Sequence, residues 1–228
     1  MRPDAIIENT RIFVHKKLVG EGSGHDWWHV VRVTDLAKQI ARKEGADSFV
    51  VTIAALLHDI ADWKFHNGDK EVGPTIAGDF LHKQGVASDD IEHVCSIIRD
   101  ISFMGGNVKP APMKTLAGMV VQDADRLDAL GAIGIARTFA YGGYKGNEIY
   151  NPTIKPALHT TAEAYKKSDG PAINHFYEKL LLLKDRMNTP SGRRIALKRH
   201  AFMEKFLQTF FEEVGGFCEE GKREMQLG

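Results

Sequence analysis

The sequence predicts an all-α protein folded as one helical domain, residues 1–228. Apolar residues recur every three or four positions in successive segments, as in amphipathic helices, and no segment shows the convincing period-two alternation of a strand. Stretches that contain glycine and proline separate these segments and predict loops. The chain has 228 residues, of which 43% are hydrophobic, enough to bury a substantial core without disulfides.

Composition argues against several classes of protein. Thirty basic and thirty acidic side chains cancel, which argues against a nucleic-acid-binding protein. The longest nearly apolar run is too short to span a bilayer, and the first residues, MRPDAIIENT, lack the pattern of a secretory signal. Cys95 and Cys218 form neither a disulfide framework nor a CxxC motif. We expect a cytoplasmic protein with reduced thiols and no nucleic-acid or membrane partner.

Three helices are predicted before residue 65. The first spans the apolar repeat of 6–18, and the second runs from Asp26 to Glu44. The third, FVVTIAALLHDIADWK, runs from Phe49 to Lys64, and its first half is apolar on all sides. A short helix of this kind belongs in the middle of a core. Helix ends are expected at Gly45, as a C-terminal cap, and at Asp47 or Ser48, as an N-terminal cap.

Five further helices are predicted after this central one. They are expected over Pro74–Gln84, from Ser88 onward, from Met113 past Gly131 and Gly134 through Phe139, over Ile173–Met187 and over Ser191–Val214. The segment from Tyr141 to Leu158 is the least regular, with three glycines and two prolines. A loop of this length is typical of a lid or binding loop, and a solvent-exposed connection is the alternative.

Three separated stretches carry side chains of the kind that bind metal ions. They are HDWWHVVRV, residues 25–33, HDIADWK, residues 58–64, and QDADRLDAL, residues 122–130. Each lies on a segment whose other residues predict a buried helix. Because buried carboxylates are costly unless they are paired or bind a metal, we expect three helices to bring their polar residues to one ion.

The ordered set of stretches resembles the H…HD…D signature of the HD-domain superfamily of metal-dependent phosphohydrolases. His29 stands three residues before an Arg-Val pair, His58 and Asp59 form the HD pair, and Asp125 lies in an Ala-Asp-Arg-Leu stretch. The segments GAIGIARTFAYGG and NHFYEKLLLLKDRMNT also resemble a bacterial HD hydrolase subgroup. The resemblance implies a helical bundle of the HD type. Its metal-site core would span about 25–130, with C-terminal helices at about 170–215 packed onto it.

The resemblance further implies one divalent ion held by His29, His58, Asp59 and Asp125, and the chemistry of these residues agrees. Two imidazoles and two carboxylates suit Mn²⁺, Fe²⁺, Co²⁺, Ni²⁺ or Zn²⁺ better than Mg²⁺, which prefers oxygen ligands. Four protein ligands leave two positions of a six-coordinate ion open for water and substrate. We therefore expect hydrolysis of a phosphate ester of a small molecule, a nucleotide, by a metal-activated water.

Residues near the HD pair are candidates for catalysis. Family resemblance places a catalytic acidic residue at Asp62, one helical turn from His58, where it can orient or deprotonate the attacking water. Candidates for neutralising the substrate phosphate are Arg32, Lys64 and Arg126. Pairing of Arg126 with Asp62 or Asp128 is the alternative.

Competing assignments remain open within the site. His25, one turn before His29, is an alternative ligand, and Asp123 competes with Asp125, although residues two apart on a helix face different directions. Some HD relatives bind a second metal through extra histidines, but position 100 is aspartate here, which weakens a two-metal site. Trp27 and Trp28 are interpreted as core packing, with substrate stacking as the alternative.

Three other functions are alternatives to phosphate-ester hydrolysis. A metal- or ligand-binding module without turnover is disfavoured by the intact ligand set and by Asp62. A diiron oxygenase needs more histidines near the site than this pattern has. Hydrolysis at a pyrophosphate link of a nucleotide or alarmone is the third. The sequence indicates neither the base and sugar of the substrate nor the oligomeric state.

Overall fold

The computed structural model describes residues 2–19, 26–61, 69–101, 112–157 and 170–215. These residues form helices, turns and loops and contain no strand, which confirms the all-α prediction. The described α-helices are α1 (Pro3–Leu18), α2 (Trp27–Glu44), α3 (Ser48–Leu57), α4 (Val72–Lys83), α5 (Ser88–Asp100), α6 (Leu116–Asp128), α7 (Gly131–Lys145), α8 (Asn174–Glu178) and α9 (Pro190–Val214). A 3₁₀ helix spans Leu180–Arg186. None of the described helices combines the length and apolar character that crossing a membrane requires.

The chain divides into two compact units. The first comprises the described residues of Met1–Phe103, Lys109–Asp128 and Met187–Arg193. The second comprises the remainder of the described chain, which is mainly Ala129–Arg186 and the part of α9 after Arg193. The expectation of a single domain over residues 1–228 stays a prediction.

Helix α3 lies at the centre of the first unit. All of its residues from Val50 to Leu57 are buried, as its apolar sequence predicts. It contacts α1, α2, α5 and α6, while α2 also packs on α6 and α4 packs on α5. This packing brings the C-terminal end of α3 close to both α2 and α6.

The ends of α2 and α3 follow the predicted capping residues. The Asp26 side chain accepts a hydrogen bond from the His29 backbone N–H at 2.8 Å. Gly45 follows α2 with φ of 74°, a left-handed conformation that favours glycine. Of the two caps considered for α3, Asp47 is the one used, because its Oδ1 accepts from the Phe49 and Val50 N–H groups at 2.8 and 3.0 Å.

The prediction of one helix from Phe49 to Lys64 is wrong, because α3 ends at Leu57. The Ile60 N–H donates to the Leu57 carbonyl at 3.1 Å, three residues back, which tightens the chain into a turn. His58 and Asp59 lie in that turn. Residues 62–68, which include Asp62 and Lys64, lie outside the described residues.

The helix predicted from Met113 through Phe139 is instead two helices. Leu130 is extended, with φ of −115° and ψ of 155°, and separates α6 from α7. Gly131 has φ of 74°, which favours glycine. A Cβ at position 134 would collide with the Ala129 carbonyl, so only glycine allows these two parts of the backbone to lie so close together.

The helix predicted over Ile173–Met187 is also wrong. Helix α8 ends at Glu178, and Lys179 has a non-helical conformation with φ of −144° and ψ of −55°. The 3₁₀ helix that follows has three residues per turn, which places the buried Leu180 and Leu183 on one side. A run of leucines does not reveal this change of period in the sequence.

Several aromatic side chains pack against one another in the second unit. The ring centroids of Phe176 and Phe206 are 5.8 Å apart, and those of Phe139 and Phe176 are 6.0 Å apart. The Tyr150 ring packs edge-on against Phe211 at 5.7 Å. These separations are typical of favourable aromatic pairs.

The segment predicted to be irregular from Tyr141 begins later, because α7 continues to Lys145 and ends at the left-handed Gly146. Backbone hydrogen bonds from Ala172 N–H to the Glu148 carbonyl, at 2.8 Å, and from Ile173 N–H to the Ile149 carbonyl, at 3.1 Å, anchor the segment that follows. The Ala157 N–H also donates to Glu178 Oε1 at 3.0 Å. The lid hypothesis stays a prediction, and a lid movement would have to break these bonds.

Candidate metal centre

Four side chains from α2, α6 and the turn after α3 meet in the first unit. His29 Nε2 lies 3.2 Å from His58 Nε2, 3.3 Å from Asp59 Oδ2 and 3.5 Å from Asp125 Oδ1. His58 Nε2 lies 3.5 Å from Asp59 Oδ2 and 3.8 Å from Asp125 Oδ1. The structure therefore places both predicted carboxylates within 3.8 Å of both predicted imidazoles, and the ligand atoms of His29, His58 and Asp125 all lie within 4.8 Å of one another.

These separations suit the ligand shell of a divalent transition metal. Ligand atoms about 2.0–2.2 Å from an ion lie roughly 3.0 Å apart at octahedral right angles and about 3.4 Å apart in a tetrahedron. The observed separations between cluster atoms, from 3.2 to 3.8 Å, start within this range and extend slightly above it.

Hydrogen-bond acceptors lie beside the outer nitrogen of each imidazole. His29 Nδ1 is 2.7 Å from Asp128 Oδ2, and His58 Nδ1 is 2.8 Å from the Ala55 carbonyl oxygen. A carboxylate and a carbonyl accept hydrogen bonds, so these contacts favour the tautomer with the hydrogen on each Nδ1. Both Nε2 lone pairs then point toward the cluster, which is the tautomer that a metal-binding histidine needs.

With these tautomers, the cluster consists of four acceptor atoms facing one another. The two imidazole lone pairs lie 3.2 Å apart, and each lies 3.3–3.8 Å from oxygens of Asp59 and Asp125, so these acceptors repel one another unless a cation lies among them. The donor set and its geometry therefore fit a bound divalent ion.

The two types of ligand differ in exposure. The side chains of His29 and His58 are 0% and 1% exposed, whereas those of Asp59 and Asp125 are 17% and 29% exposed. The imidazoles form the buried side of the cluster, and the carboxylates form the side that solvent reaches.

Comparison with known proteins identifies relatives over almost the whole chain. The HD domain family model matches residues 27–130. The uncharacterized protein YpgQ of Bacillus subtilis is 39% identical over 214 residues, which cover 93% of this chain and 96% of YpgQ. A crystal structure of an HD-superfamily hydrolase from Bacillus thuringiensis is 42% identical, with a TM-score of 0.74, and covers 94% of this chain and 100% of that one. The chain belongs to the HD superfamily of hydrolases.

A crystal structure of Bacillus subtilis YpgQ in complex with ADP is also similar to this chain. The two are 35% identical, with a TM-score of 0.71, over 92% of this chain and 98% of that one. The family match begins at the first residue of α2 and ends two residues after α6. It therefore contains all four residues of the cluster.

Within this HD domain, the competition between Asp123 and Asp125 has a clear structural outcome. Asp123 Oδ1 accepts from the Asn188 backbone N–H and Nδ2 at 2.8 and 2.9 Å, and its Oδ2 accepts from the Thr189 N–H and Oγ1 at 2.8 and 2.7 Å. These four bonds hold Asp123 against the segment before α9, so only Asp125 faces the histidines.

Arg32 lies against Asp128 in this HD domain. Its Nε donates to Asp128 Oδ1 at 2.7 Å and its Nη2 to Asp128 Oδ2 at 2.9 Å, a two-pronged ion pair. The hydrogen bond to Asp128 raises the pKa of Arg32, against the opposing effect of burial. The sequence assigned Arg32 to the substrate phosphate, whereas the structure shows this pair with Asp128.

The remaining candidates differ in how the structure places them. Arg126 is 5% exposed, beside Asp125 in sequence. Trp27 is buried, as core packing predicts, but Trp28 is 64% exposed, so the core interpretation is wrong for Trp28. Asp62, Lys64 and the alternative ligand His25 lie outside the described residues.

Sequence reasoning did not find the role of Asp128 as the partner of His29. It named Asp128 only as a possible partner of Arg126. A signal was present in the spacing, because Asp128 follows Asp125 by three residues, and Arg32 follows His29 by three residues. Residues three apart lie on one side of a helix, so each helix presents a ligand and a partner together.

Proposed function

We propose that this protein hydrolyses the phosphate ester of a small molecule and uses one divalent metal ion. The proposed substrate is a nucleotide. The observation that carries the proposal is the convergence of four acceptor atoms from His29, His58, Asp59 and Asp125 in one cluster. A divalent ion supplies Lewis acidity and activates water for attack on phosphorus. The reaction adds water to the ester and yields an alcohol and orthophosphate.

In this proposal, the two imidazoles hold the ion from its buried side and the two carboxylates hold it from the side that solvent reaches. Their two nitrogens and two oxygens favour Mn²⁺, Fe²⁺, Co²⁺, Ni²⁺ or Zn²⁺ over Mg²⁺. Because Asp59 and Asp125 are the more exposed ligands, substrate would reach the ion from their side. The phosphate then meets the ion without displacing the buried imidazoles.

The nucleotide part of the proposal is supported by the relative that was crystallised with ADP. YpgQ is similar to this chain over nearly its whole length. Its complex with ADP supports a nucleotide as the substrate class here. Arg126 and Lys64 remain the proposed groups for neutralising the phosphate charge, while Arg32 has its Nε and Nη2 on Asp128.

The decisive experiment is a metal-dependent screen of nucleotides. Protein purified without chelator is analysed for metal content, loaded with each ion, and offered nucleoside mono-, di- and triphosphates. We expect orthophosphate release from a nucleoside monophosphate, which chelation abolishes and which Asp125→Asn removes together with bound metal. Release of pyrophosphate from a triphosphate, or of orthophosphate from a di- or triphosphate but not from a monophosphate, would instead identify a pyrophosphate-link hydrolase. Metal binding without any turnover would identify a binding module.

A second experiment tests the proposed general base, Asp62. Since α3 ends at Leu57, this assignment rests on family resemblance and on nearness in sequence to the HD pair, and no longer on helical spacing. We expect Asp62→Asn to keep its metal and melting temperature while losing about 10²–10⁴-fold in turnover. Asp59→Asn should lose metal affinity as well. Turnover near wild type with a lowered melting temperature in Asp62→Asn would contradict the catalytic role.

A further inference from the structure

We propose that Asp128 and Arg32 form a positioning pair that sets which nitrogen of His29 faces the metal ion. Neither residue is one of the four proposed ligands. Arg32 acts on Asp128, and Asp128 acts on His29. The inference rests on the metal-binding part of the proposed function and does not depend on the identity of the substrate.

The pair matters because the cluster itself attracts a hydrogen to the wrong nitrogen. His29 Nε2 lies near three acceptors: His58 Nε2 at 3.2 Å, Asp59 Oδ2 at 3.3 Å and Asp125 Oδ1 at 3.5 Å. A hydrogen on Nε2 would satisfy one of them and block metal binding. Asp128 Oδ2 competes for this hydrogen from the other side of the ring, at the shorter distance of 2.7 Å. Hydrogen bonds to a charged acceptor are the stronger kind, so the competition favours Nδ1.

His58 reaches the same tautomer in a simpler way. Its Nδ1 donates to the Ala55 carbonyl oxygen three residues earlier in the chain. A backbone carbonyl accepts but never donates, so the local turn settles this ring. Asp128 comes from another helix, 99 residues away in sequence, and its position has to be established by packing.

Arg32 makes it possible for a carboxylate to occupy this place. The Asp128 side chain is only 4% exposed, and a buried carboxylate without a compensating charge is strongly unfavourable. The Arg32 guanidinium provides that charge and contacts both carboxylate oxygens, at 2.7 and 2.9 Å. Its two donors fix the plane of the carboxylate, which aims Oδ2 at His29 Nδ1.

The pair suggests an informative substitution, Asp128→Asn. Oδ2 meets both His29 Nδ1 and Arg32 Nη2, and Oδ1 meets Arg32 Nε. If the amide nitrogen replaces Oδ2, it donates to His29 Nδ1 and forces the hydrogen of His29 onto Nε2. If it replaces Oδ1, it faces the N–H of Arg32, donor against donor. Either orientation weakens the preference of His29 for the hydrogen on Nδ1. The substitution changes the side-chain volume very little.

The first measurement is the tautomer of His29 in the metal-free wild-type protein. Long-range ¹H–¹⁵N NMR at mildly alkaline pH distinguishes protonated from unprotonated ring nitrogens, and loss of one signal in His29→Gln identifies this ring among the ten histidines. We expect hydrogen on Nδ1. Hydrogen on Nε2 in the wild-type protein would overturn the inference, and this measurement needs no variant of Asp128 to fold.

The second measurement is binding of Co²⁺, followed by its visible spectrum and by titration. We expect Asp128→Asn to weaken the Kd about 10–100-fold, the usual effect of losing such a partner, and to shift the His29 tautomer. Arg32→Lys keeps the charge but not the two-pronged contact, so it should weaken binding less than Arg32→Met. Wild-type Kd in Asp128→Asn would refute the proposal.

Asp123→Asn is the matched control, because Asp123 is an equally buried carboxylate on the same helix whose bonds go to Asn188 and Thr189. It should lower the melting temperature but leave the His29 tautomer and the Co²⁺ Kd unchanged. Equal weakening of binding in both variants would show a merely structural effect and overturn the inference. Because no substrate is used, absence of turnover in the nucleotide screen would defeat the proposed function and leave these results intact.

Discussion

Two aspartates on α6, two residues apart, should respond in opposite ways to the same substitution. Residues two apart on a helix point about 200° away from each other. Asp123 faces the segment before α9, and Asp125 faces the histidines. We therefore expect Asp123→Asn to lose stability and keep metal binding, and Asp125→Asn to lose metal binding and keep the stability of the metal-free protein.

The cost of Asp123→Asn follows from its four hydrogen bonds. Asp123 is 0% exposed and accepts from donors at 2.7–2.9 Å, two at each oxygen. Whichever oxygen becomes an amide nitrogen, it faces a backbone N–H of Asn188 or Thr189 that cannot turn away. Loss of two hydrogen bonds to a charged group, at about 1.5–3 kcal/mol each, gives a loss of roughly 3–6 kcal/mol. This is a large part of the stability of an ordinary domain.

The cost of Asp125→Asn should be much smaller in the absence of metal. Its carboxylate is 29% exposed, and neutralising it removes repulsion from the nearby Nε2 lone pairs of His29 and His58, so we expect a change within about 1 kcal/mol. The wild-type protein should gain about 2.7 kcal/mol of stability when free metal is a hundredfold above its Kd. Asp125→Asn should lose most of that gain.

Urea unfolding of the wild type and both variants, with chelator and with added Mn²⁺ or Zn²⁺, measures both effects on one scale. The expected pattern is a large loss for Asp123→Asn under both conditions and loss of only the metal-dependent gain for Asp125→Asn. A full metal-dependent gain in Asp125→Asn would refute its assignment as a ligand. Unchanged stability in Asp123→Asn would refute the hydrogen-bond argument.

Three further substitutions test neighbouring parts of the structure. Gly192→Ala should lower the free energy of unfolding in urea by about 1.5–3 kcal/mol, because a Cβ there would collide with the Asp123 carboxylate and displace a charged hydrogen bond. Gly143→Ala is the control. It should not lower the free energy of unfolding, because nothing lies within 4 Å of a Cβ at that position. His58→Ala should abolish metal uptake in elemental analysis and the rise in melting temperature that metal causes, and full occupancy would contradict the site. Burial lowers the pKa of His175 from 6.5 to about 3, so His175 takes up a proton at a higher pH in the unfolded state than in the folded state. The free energy of unfolding therefore falls as pH drops below 6.5, by up to about 1.4 kcal/mol per pH unit. The free energy of unfolding of His175→Gln should fall less steeply with decreasing pH than that of the wild type, between about pH 7 and pH 5. An equal slope would contradict this assignment.

Local signals predicted where α2 ends and where α3 begins. Gly45 and Asp47 terminate neighbouring helices because their effects on the backbone are short-range, and the apolar sequence of α3 leads to its central position. The end of α3 was predicted incorrectly because the apolar pattern continues into Ile60. The turn at His58 depends on a hydrogen bond to the Ala55 carbonyl and on packing, and residue type alone does not show either.

The four cluster residues were predicted from the resemblance to the H…HD…D signature, which combines metal-binding residue types with a fixed order in the chain. Their partners were not predictable in the same way. Asp128, Glu71 and Glu8 are all acidic residues that pair with an arginine, and the sequence does not distinguish the one that also contacts a histidine. The pairing of Arg32 with Asp128 joins residues 96 apart and arises from the packing of α2 on α6.

The HD domain of this chain depends on residues that lie far beyond its family match. The match ends at residue 130, yet residues Met187–Arg193 belong to the same compact unit. That segment supplies all four donors of Asp123, and the Ser191 N–H also donates to Glu44 Oε1 at 2.8 Å, at the end of α2. A fragment ending at residue 130 would leave the Asp123 carboxylate without these donors, two residues from Asp125. The residues that donate hydrogen bonds to the helix carrying Asp125 therefore come after most of the second unit in the sequence.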